Sequence, residues 1–360
     1  MLVKDIANVN PLSKQKYNNF INYIDTSSVY DGKLLNIQKI HSNFPSRAQR
    51  IIGINDILIS SVRPNLLHNY FINKNINNGV ASSGFIHIRV KDNLINPRFL
   101  YYFLTSHNNI SLYSAIAESS QTTIPSFNKD VIENLELPDI SVSKQLLIVD
   151  IIGSLDDKIE NNNKLYKKID EYLLLKYKKL QDKTVESNFK DNFNILNGYA
   201  FKSKDYIEFG TYKVITIKNI KSDGFTTASC DFINFNDDYR KVKLNVGDIL
   251  LTMTGDVGRV GIVDQENCLL NQRVLKVTGI SPAYTYTFLK SNYNNISMIS
   301  KGSVQQNLSV NDLNNISVYN SKQQIFEFKK YDSLFEKMIS LKKENIKLQH
   351  LKSNYLAKFF

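Results

Sequence analysis

Clusters of basic and amide side chains lie beside predicted turns in both halves of the 360-residue chain. Arginine can read guanine, and asparagine or glutamine can read adenine, through paired hydrogen bonds, while lysine and threonine can hold phosphates. The clusters therefore predict a surface that contacts DNA, although ordinary surface polarity would account for any single one. Arg63 and Gln272 are the strongest candidates, because each lies in or beside a strand-like run. The predicted DNA-contacting residues are Ser46, Arg47, Arg50, Arg63, Asn65, Lys202, Lys218, Asn219, Thr254, Arg259, Gln272 and Arg273.

Motifs for catalysis, for a metal or for a cofactor do not occur in a context that would support them. There is no GxxxxGK(S/T) phosphate loop. The glycines of Gly255–Gly261 are three residues apart, but no helical pattern follows, so a tight turn between strands is the better interpretation. The five histidines are scattered without the paired spacing of a metal site. We expect a non-catalytic chain that holds neither a cofactor nor a metal.

The charge and the cysteine content narrow the choice of partner and compartment. The formal net charge of +11 favours a polyanionic partner, either nucleic acid or an anionic membrane. The bias of an AT-rich genome toward lysine would give the same charge. Cys230 and Cys268 are too few for a disulfide framework, and the first residues do not resemble a signal peptide, so we expect the cytoplasm. No apolar run reaches the ~18 residues of a membrane span, so we expect no membrane partner.

The chain carries an internal repeat with a period near half its length. Asn55–Ser60 returns as Gly247–Thr252, with an Asp-Ile-Leu core in both copies. Ser154–Ile159 returns as Ser333–Met338, and a Lys-Gln pair precedes each copy. A repeat of this period indicates two related domains rather than a solenoid of short units.

Each half contains a globular pattern followed by a helical one, which predicts an α+β fold. Alternating apolar residues predict strands such as Gly84–Val90, and Ile132–Leu137 predicts a further strand. The Asn96-Pro97 pair predicts a helix start. The predicted boundaries are 1–141 and 186–320 for the globular domains, and 142–185 and 321–360 for the helices.

Apolar residues at heptad spacing predict that the two helical segments pair with each other as an antiparallel coiled coil. Asn162 and Asn345 interrupt this pattern, and such polar positions can fix the register of a helix pair. The predicted coiled-coil or subunit-interface residues are Leu155, Ile159, Tyr166, Ile169, Leu173, Leu334, Met338, Leu341, Leu348 and Tyr355.

The whole chain resembles the specificity subunit of type I restriction–modification systems. The residues that carry the resemblance are the paired Asp-Ile-Leu segments, the opening of the second module and the two module ends: Asn55–Pro64, Gly247–Gly261, Asn197–Phe201, Asn271-Gln272, Gln121–Pro138 and Gly302–Tyr319. The resemblance implies two target-recognition domains, related by a pseudo-twofold axis, that select a bipartite DNA sequence. It also implies partners, namely double-stranded DNA, two methyltransferase subunits and a restriction subunit.

The predicted helices would then act as a ruler on DNA. The segment from Leu155 to Leu180 would span roughly 40 Å at ~1.5 Å per residue, and one turn of DNA is about 34 Å. Helix length is therefore expected to set the spacer between the half-sites. A standalone DNA-binding or structural protein that dimerises through its coiled coil is the main alternative. An enzyme acting by itself is a more distant one.

Overall fold

The computed structural model describes residues 1–12, 19–91, 95–120, 124–180, 185–222, 224–300 and 307–360. It is a mixture of helices and sheets, in agreement with the fold class predicted from the sequence. The chain divides into two compact units, one formed by Met1–Asp157 with Gln349–Phe360 and the other by Lys158–Leu348. No helix of the described residues is both long and apolar enough to cross a bilayer.

The first unit is built on two four-stranded sheets. Its strands are β1 (Ala7–Val9), β2 (Ile21–Ile24), β3 (Val29–Tyr30), β4 (Lys33–Leu34), β5 (Gln38–Ile40), β6 (Ala48–Ile51), β7 (Ile57–Ser60), β8 (Asn69–Phe71), β9 (Gly79–Ser82) and β10 (Phe85–Val90). Its helices are α1 (Val3–Ile6), α2 (Pro97–Leu104), α3 (His107–Ser119), α4 (Lys129–Glu133) and the start of α5 (Val142–Leu180). One sheet is antiparallel with the order β1-β10-β7-β8, and the other has the order β5-β2-β9-β6 with β2 parallel to β9.

The second unit repeats this plan. Its strands are β11 (Ser187–Asn188), β12 (Phe193–Asn197), β13 (Tyr212–Ile215), β14 (Ile220–Lys221), β15 (Gly224–Phe225), β16 (Asp231–Ile233), β17 (Lys243–Leu244), β18 (Ile249–Thr252), β19 (Val260–Ile262), β20 (Cys268–Leu270), β21 (Val274–Gly279) and β22 (Ser317–Val318). Its helices are α6 (Pro282–Ser291), α7 (Tyr293–Met298), α8 (Val310–Asn314), α9 (Lys322–Phe328) and most of α10 (Asp332–Phe359). The antiparallel sheet has the order β12-β21-β18-β19, and the second sheet has the order β16-β13-β20-β17 with β13 parallel to β20.

The Asp-Ile-Leu repeat forms the central strands β7 and β18, which are buried on both faces. Ile57 packs against the helices while Leu58 packs into the core between the sheets, because successive side chains of a strand point to opposite faces. Ile249 and Leu250 divide in the same way in the second unit. Burial on both faces explains why these segments are continuous apolar runs, each residue contributing roughly 1.5–3 kcal/mol.

The aspartate of each repeat closes the turn that enters the strand. In the first unit Oδ2 of Asp56 accepts a hydrogen bond from the backbone N–H of Gly53 over 2.7 Å. In the second unit Oδ2 of Asp248 accepts from the backbone N–H of Asn245 over 2.8 Å. Side-chain bonds of this kind favour turns over continued regular structure, so the aspartate fixes where the buried strand begins.

The first helix of each unit after its long strand starts at a side-chain cap followed by proline. The side-chain oxygen of Asn96 accepts from the backbone N–H groups of Arg98 and Phe99 at the start of α2. Ser281 caps α6 in the same manner by accepting from Tyr284 over 3.1 Å. Proline fits the first helical position because its missing N–H would have no intrahelical partner there. The helix start predicted at Asn96 is confirmed.

The helices α5 and α10 contact each other inside each unit. In the second unit, Nδ2 of Asn162 on α5 donates to Oδ1 of Asn345 on α10 over 2.9 Å. In the first unit, Nζ of Lys352 on α10 lies 2.7 Å from Oδ1 of Asp156 on α5. Further along α5 in the second unit, the ring centroid of Tyr166 lies 4.8 Å from Nζ of Lys342, which precedes Asn345 on α10. Residue numbers therefore rise along α5 while those of their partners fall along α10, so the two helices run in opposite directions within this unit.

One predicted strand is wrong. Ile132 and Glu133 belong to the short helix α4, and of the stretch that follows only Glu136 forms a bridge, with Leu2. The core explains the difference, since Ile132 is fully buried among the helices that cover the antiparallel sheet. Residues 121–123 and 302–306, which open the two module ends named above, lie outside the described residues.

Candidate nucleic-acid interface

In the first unit, the start of β6, the end of β7 and the turn between β9 and β10 meet at one edge. The backbone N–H of Ser83 donates to the carbonyl of Arg47 over 2.7 Å, and that of Ser61 donates to Gly84 over 3.0 Å. Ser61 in turn accepts from the N–H of Phe127 over 3.0 Å. These bonds bring Arg47 and the segment after β7 together, although they are separated along the chain.

Arg63, which follows β7 at this edge, has a strained backbone conformation. Its φ of 47° lies in the left-handed region, which a non-glycine residue seldom adopts. Its N–H donates to the carbonyl of Pro125 over 3.0 Å, and its carbonyl accepts from Leu66 over 2.9 Å. The side chain is exposed. Strain of this kind persists only where surrounding bonds impose it and is concentrated at functional sites.

In the second unit, the corresponding edge brings together Tyr199, Gln272 and Arg273. The N–H of Gln272 donates to the carbonyl of Tyr199 over 3.0 Å, and the N–H of Met253 donates to the carbonyl of Arg273 over 3.0 Å. Leu308 donates to the carbonyl of Met253 over 2.8 Å. The side chains of Gln272 and Arg273 are exposed, whereas the backbone that carries them is fixed.

The two edges share two backbone bonds and differ in the third. The Ser61–Gly84 bond matches Met253–Arg273, and the Phe127–Ser61 bond matches Leu308–Met253, so Ser83 holds the position of Gln272. The carbonyls that accept from Ser83 and Gln272 are not equivalent, because Arg47 precedes β6, which is antiparallel to β9, whereas Tyr199 follows β12 and forms a parallel bridge with Asn271. The sequence prediction missed both Ser83 and Tyr199, because the two modules differ strongly outside the Asp-Ile-Leu segments.

The arginines fall into two groups. Four of the eight are held by carboxylates over 2.5 to 3.0 Å: Arg89 by Asp56, Arg98 by Asp157, Arg240 by Asp237 and Arg259 by Asp256. Within the part of the chain that the structure describes, the other four have no carboxylate partner, and all of them lie in the two edge segments: Arg47, Arg50, Arg63 and Arg273. Positive charge is thus left unneutralised where the loops meet, as a polyanion site requires.

Arg50 is the most constrained member of the unpaired group. It follows a bulge in the pairing of β6 with β9, and its side chain is half-buried. Its Nε is buried and has no hydrogen-bond partner among the described residues. Burial lowers the pKa of this guanidinium. A buried hydrogen-bond donor without an acceptor destabilises the folded state, and a phosphate oxygen could accept from Nε of Arg50.

Asn219 is the clearest correction to the predicted contact set. It is fully buried, its Oδ1 accepts from the N–H of Thr216 over 2.9 Å, and its Nδ2 donates to Sγ of Cys230 over 3.1 Å. The side chain therefore shapes the loop that follows β13 and has no free group for a base. Lys218 beside it is exposed, with Nζ 2.9 Å from Oδ2 of Asp231.

The remaining predicted contacts differ in accessibility. Ser46, Asn65 and Lys202 are exposed. The guanidinium of Arg259 is engaged by Asp256, and it would have to leave this carboxylate to reach DNA. Thr254 forms a bridge with Asn307, and its Oγ1 is buried without a partner among the described residues.

The predicted helix residues lie largely inside the units. Ile159, Ile169, Leu173, Met338 and Leu341 are buried, and the other five are partly buried: Leu155, Tyr166, Leu334, Leu348 and Tyr355. Ile169, Leu173, Met338 and Leu341 belong to one core cluster of the second unit. Tyr355 packs against the core of the first unit.

Comparison with known proteins agrees with the sequence resemblance. The HindI specificity subunit of a type I restriction enzyme from Haemophilus influenzae is 33% identical over 144 residues, or 40% of this chain and 31% of that protein. This chain thus spans about a third of that relative in the match. The MjaVIII specificity subunit of a type I restriction enzyme from Methanocaldococcus jannaschii is 24% identical over 302 residues, or 75% of this chain and 68% of that protein.

A solved structure shows the same fold. The crystal structure of the type I restriction–modification system S subunit from M. genitalium has a TM-score of 0.58 at 17% identity, covering 100% of this chain and 95% of that one. A family model described as the type I restriction modification DNA specificity domain matches residues 2–171 and again residues 181–349. These two matches confirm the internal repeat of domains. The chain therefore belongs to the family of type I restriction–modification DNA specificity domains.

Proposed function

We propose that the chain is the DNA-reading specificity subunit of a type I restriction–modification complex, with one half-site read at the edge of each unit. The observation that carries this proposal is the distribution of the arginines. All four that lack a carboxylate partner among the described residues lie in edge segments, while the other four are neutralised within the protein. Guanidinium groups kept free in this way are suited to guanine edges and phosphates.

In this proposal some edge residues contact bases and others contact phosphates. In the first unit, Arg63 and Arg47 are exposed and reach toward base edges, while the constrained Arg50 holds a phosphate. In the second unit, Gln272 reads a base and Arg273 stands beside it. The remaining proposed phosphate and sugar contacts are Ser46, Asn65, Lys202, Lys218, Thr254 and Arg259. Asn219 is not part of this set because it is buried.

The helices α5 and α10 are proposed to form an antiparallel coiled coil. Support comes from the shared core cluster of Ile169, Leu173, Met338 and Leu341, and from the Asn162–Asn345 bond. The division of the chain at 1–141, 142–185, 186–320 and 321–360, and the role of helix length in setting the DNA spacer, are part of the same proposal. Because the heptad residues already pack within the protein, partner subunits would contact other faces of the helices.

The proposed partners are double-stranded DNA, two methyltransferase subunits and a restriction subunit. The relatives named above are specificity subunits of type I restriction enzymes, which supports assembly with such subunits. In this proposal the chain selects DNA without carrying out chemistry itself, and it acts in the cytoplasm, as the two cysteines suggest.

A domain exchange tests the proposal. Residues 186–320 are replaced by the equivalent segment of a relative, and the sequences methylated by the assembled complex are determined. We expect one half of the methylated motif to change and the other half to stay. Exchange of residues 1–141 is the matched control and should change the opposite half. A change in both halves after either exchange would contradict independent reading by the two units.

A further inference from the structure

Tyr199 lies beside Gln272 in the second unit. The carbonyl of Tyr199 accepts from the N–H of Gln272 over 3.0 Å. In the first unit the residue equivalent to Gln272 is Ser83, whose N–H donates to the carbonyl of Arg47 over 2.7 Å. Arg47 precedes β6 whereas Tyr199 follows β12, so the two units place side chains beside this position from different parts of the fold.

The ring of Tyr199 is held in place by two other rings. Phe201 and Tyr239 lie 5.1 and 5.2 Å from it, centroid to centroid, and both meet it edge-on. These two supporting side chains are only 8% and 7% exposed, whereas Tyr199 is 36% exposed. Edge-to-face packing contributes about 0.5–1.5 kcal/mol beyond area burial. Tyr199 therefore presents an aromatic surface whose orientation is fixed before any ligand binds.

The backbone of Tyr199 is fixed as firmly as its ring. A Cβ on the preceding residue, Gly198, would lie 2.2 Å from the carbonyl oxygen of Asn271 and 2.7 Å from that of Leu270. Only glycine allows this close approach. The N–H of Tyr199 then donates to the carbonyl of Leu270 over 2.9 Å. The distance between Tyr199 and Gln272 is consequently set by the fold.

We propose that Tyr199 is a specificity-determining residue of the second unit and that its ring contacts the edge of a base next to the one read by Gln272. This inference rests on the proposed function of the edge. Side chains that carry apolar surface recognise the methyl group of thymine in the major groove, and preorganised groups lose less entropy when they bind.

Selection of binding sites from a pool of randomised DNA duplexes tests the proposal, with the full chain in complex with its methyltransferase partner. We expect Tyr199→Ala to reduce discrimination at one base position of one half-site by roughly 4-fold, the factor that corresponds to ~0.8 kcal/mol for burial of one methyl-sized group. Tyr199→Phe should retain the wild-type motif because the ring remains. Tyr199→Arg should shift that position toward guanine, because arginine reads guanine through paired hydrogen bonds.

Tyr319→Ala is the matched control, since Tyr319 is also 36% exposed in the second unit but belongs to no edge segment. Its selected motif should equal that of the wild type. If the wild type selects a bipartite motif and folded Tyr199→Ala and Tyr199→Arg variants both select the same one, the role of Tyr199 is wrong while the proposed function stands. If the wild-type complex selects no bipartite motif, the proposed function itself fails.

Discussion

Asn162 and Asn345 form a buried amide pair between α5 and α10. Nδ2 of Asn162 donates to Oδ1 of Asn345 over 2.9 Å, and Nδ2 of Asn345 donates to Oδ1 of Asn163 over 2.9 Å. The two paired asparagines are only 3% and 7% exposed. Each is a polar interruption of its own heptad pattern, and the two asparagines meet each other. A shift of either helix by one turn would break both of these hydrogen bonds.

This amide pair should show strong energetic coupling. We expect Asn345→Ala to lower the free energy of unfolding by about 1–3 kcal/mol, because Asn162 and Asn163 each lose their hydrogen bond to the Asn345 amide. The double variant Asn162→Leu with Asn345→Leu should lose less than the sum of the single leucine variants, since no unsatisfied amide remains. Urea denaturation of the singles and the double measures the coupling. Additive losses would show that the two amides do not depend on each other.

Asp264 should make the protein less stable as the pH rises. Burial raises the pKa of Asp264 to about 6, and its Oδ1 has no hydrogen-bond partner among the described residues. The folded state therefore favours the protonated carboxyl. Stability from this group is fully present below its unfolded pKa of about 3.9, falls as the pH rises toward 6, and stays low above that.

The substitution Asp264→Asn should remove this pH dependence. We expect the variant to raise the free energy of unfolding at pH 7 by about 2 kcal/mol and to gain little at pH 4. Glu266→Gln, an exposed neighbour in the same loop, is the matched control and should leave the profile unchanged. Denaturation of all three proteins between pH 4 and pH 7 provides the comparison. A constant difference between Asp264→Asn and wild type across this range would contradict the titration of Asp264.

Arg63 and Gln272 should each govern one half-site. We expect Arg63→Ala to relax the half-site of the first unit and Gln272→Ala that of the second, each by about 1–3 kcal/mol of discrimination. Arg63→Lys keeps the charge but loses the paired donors, so it should relax the same position. The methylated sequences of cells that carry each variant give the measurement, with circular dichroism to exclude unfolded variants. An unchanged motif for both alanine variants would remove these residues from the base-reading set.

Replacement of Arg50 should raise the free energy of unfolding and lower the affinity for DNA. Arg50→Met removes a buried, unpaired donor, so we expect the free energy of unfolding to rise by about 1 kcal/mol. Loss of one phosphate contact should weaken binding to all DNA sequences alike and reduce the slope of log affinity against log salt by about 1. Lys164→Ala removes an equal charge from an exposed position on α5 and should change neither quantity. A variant that changes base preference would indicate that Arg50 contacts a base.

The sequence by itself determined the features that depend on local pattern. The Asp-Ile-Leu repeats, the capped helix at Asn96 and the long helical segments were all predicted, because periodicity and capping are encoded in neighbouring residues. The family followed from the same segments. The strand predicted at Ile132–Leu137 is wrong because a short apolar run does not distinguish a strand from a buried helical turn. Ile132 packs into the core as part of a helix.

Only the tertiary structure decided which candidate side chains are available to DNA. Asn219 and Lys218 are neighbours with similar polarity, yet the fold buries the first and exposes the second. Arg259 and Arg273 look alike in sequence, but among the residues that the structure describes a carboxylate lies against Arg259 and none against Arg273. Tyr199 lies at the edge because its carbonyl accepts a backbone hydrogen bond from Gln272, which is far from it along the chain. Ion pairs, burial and cross-chain bonds join residues from separate segments, so no local pattern can specify them.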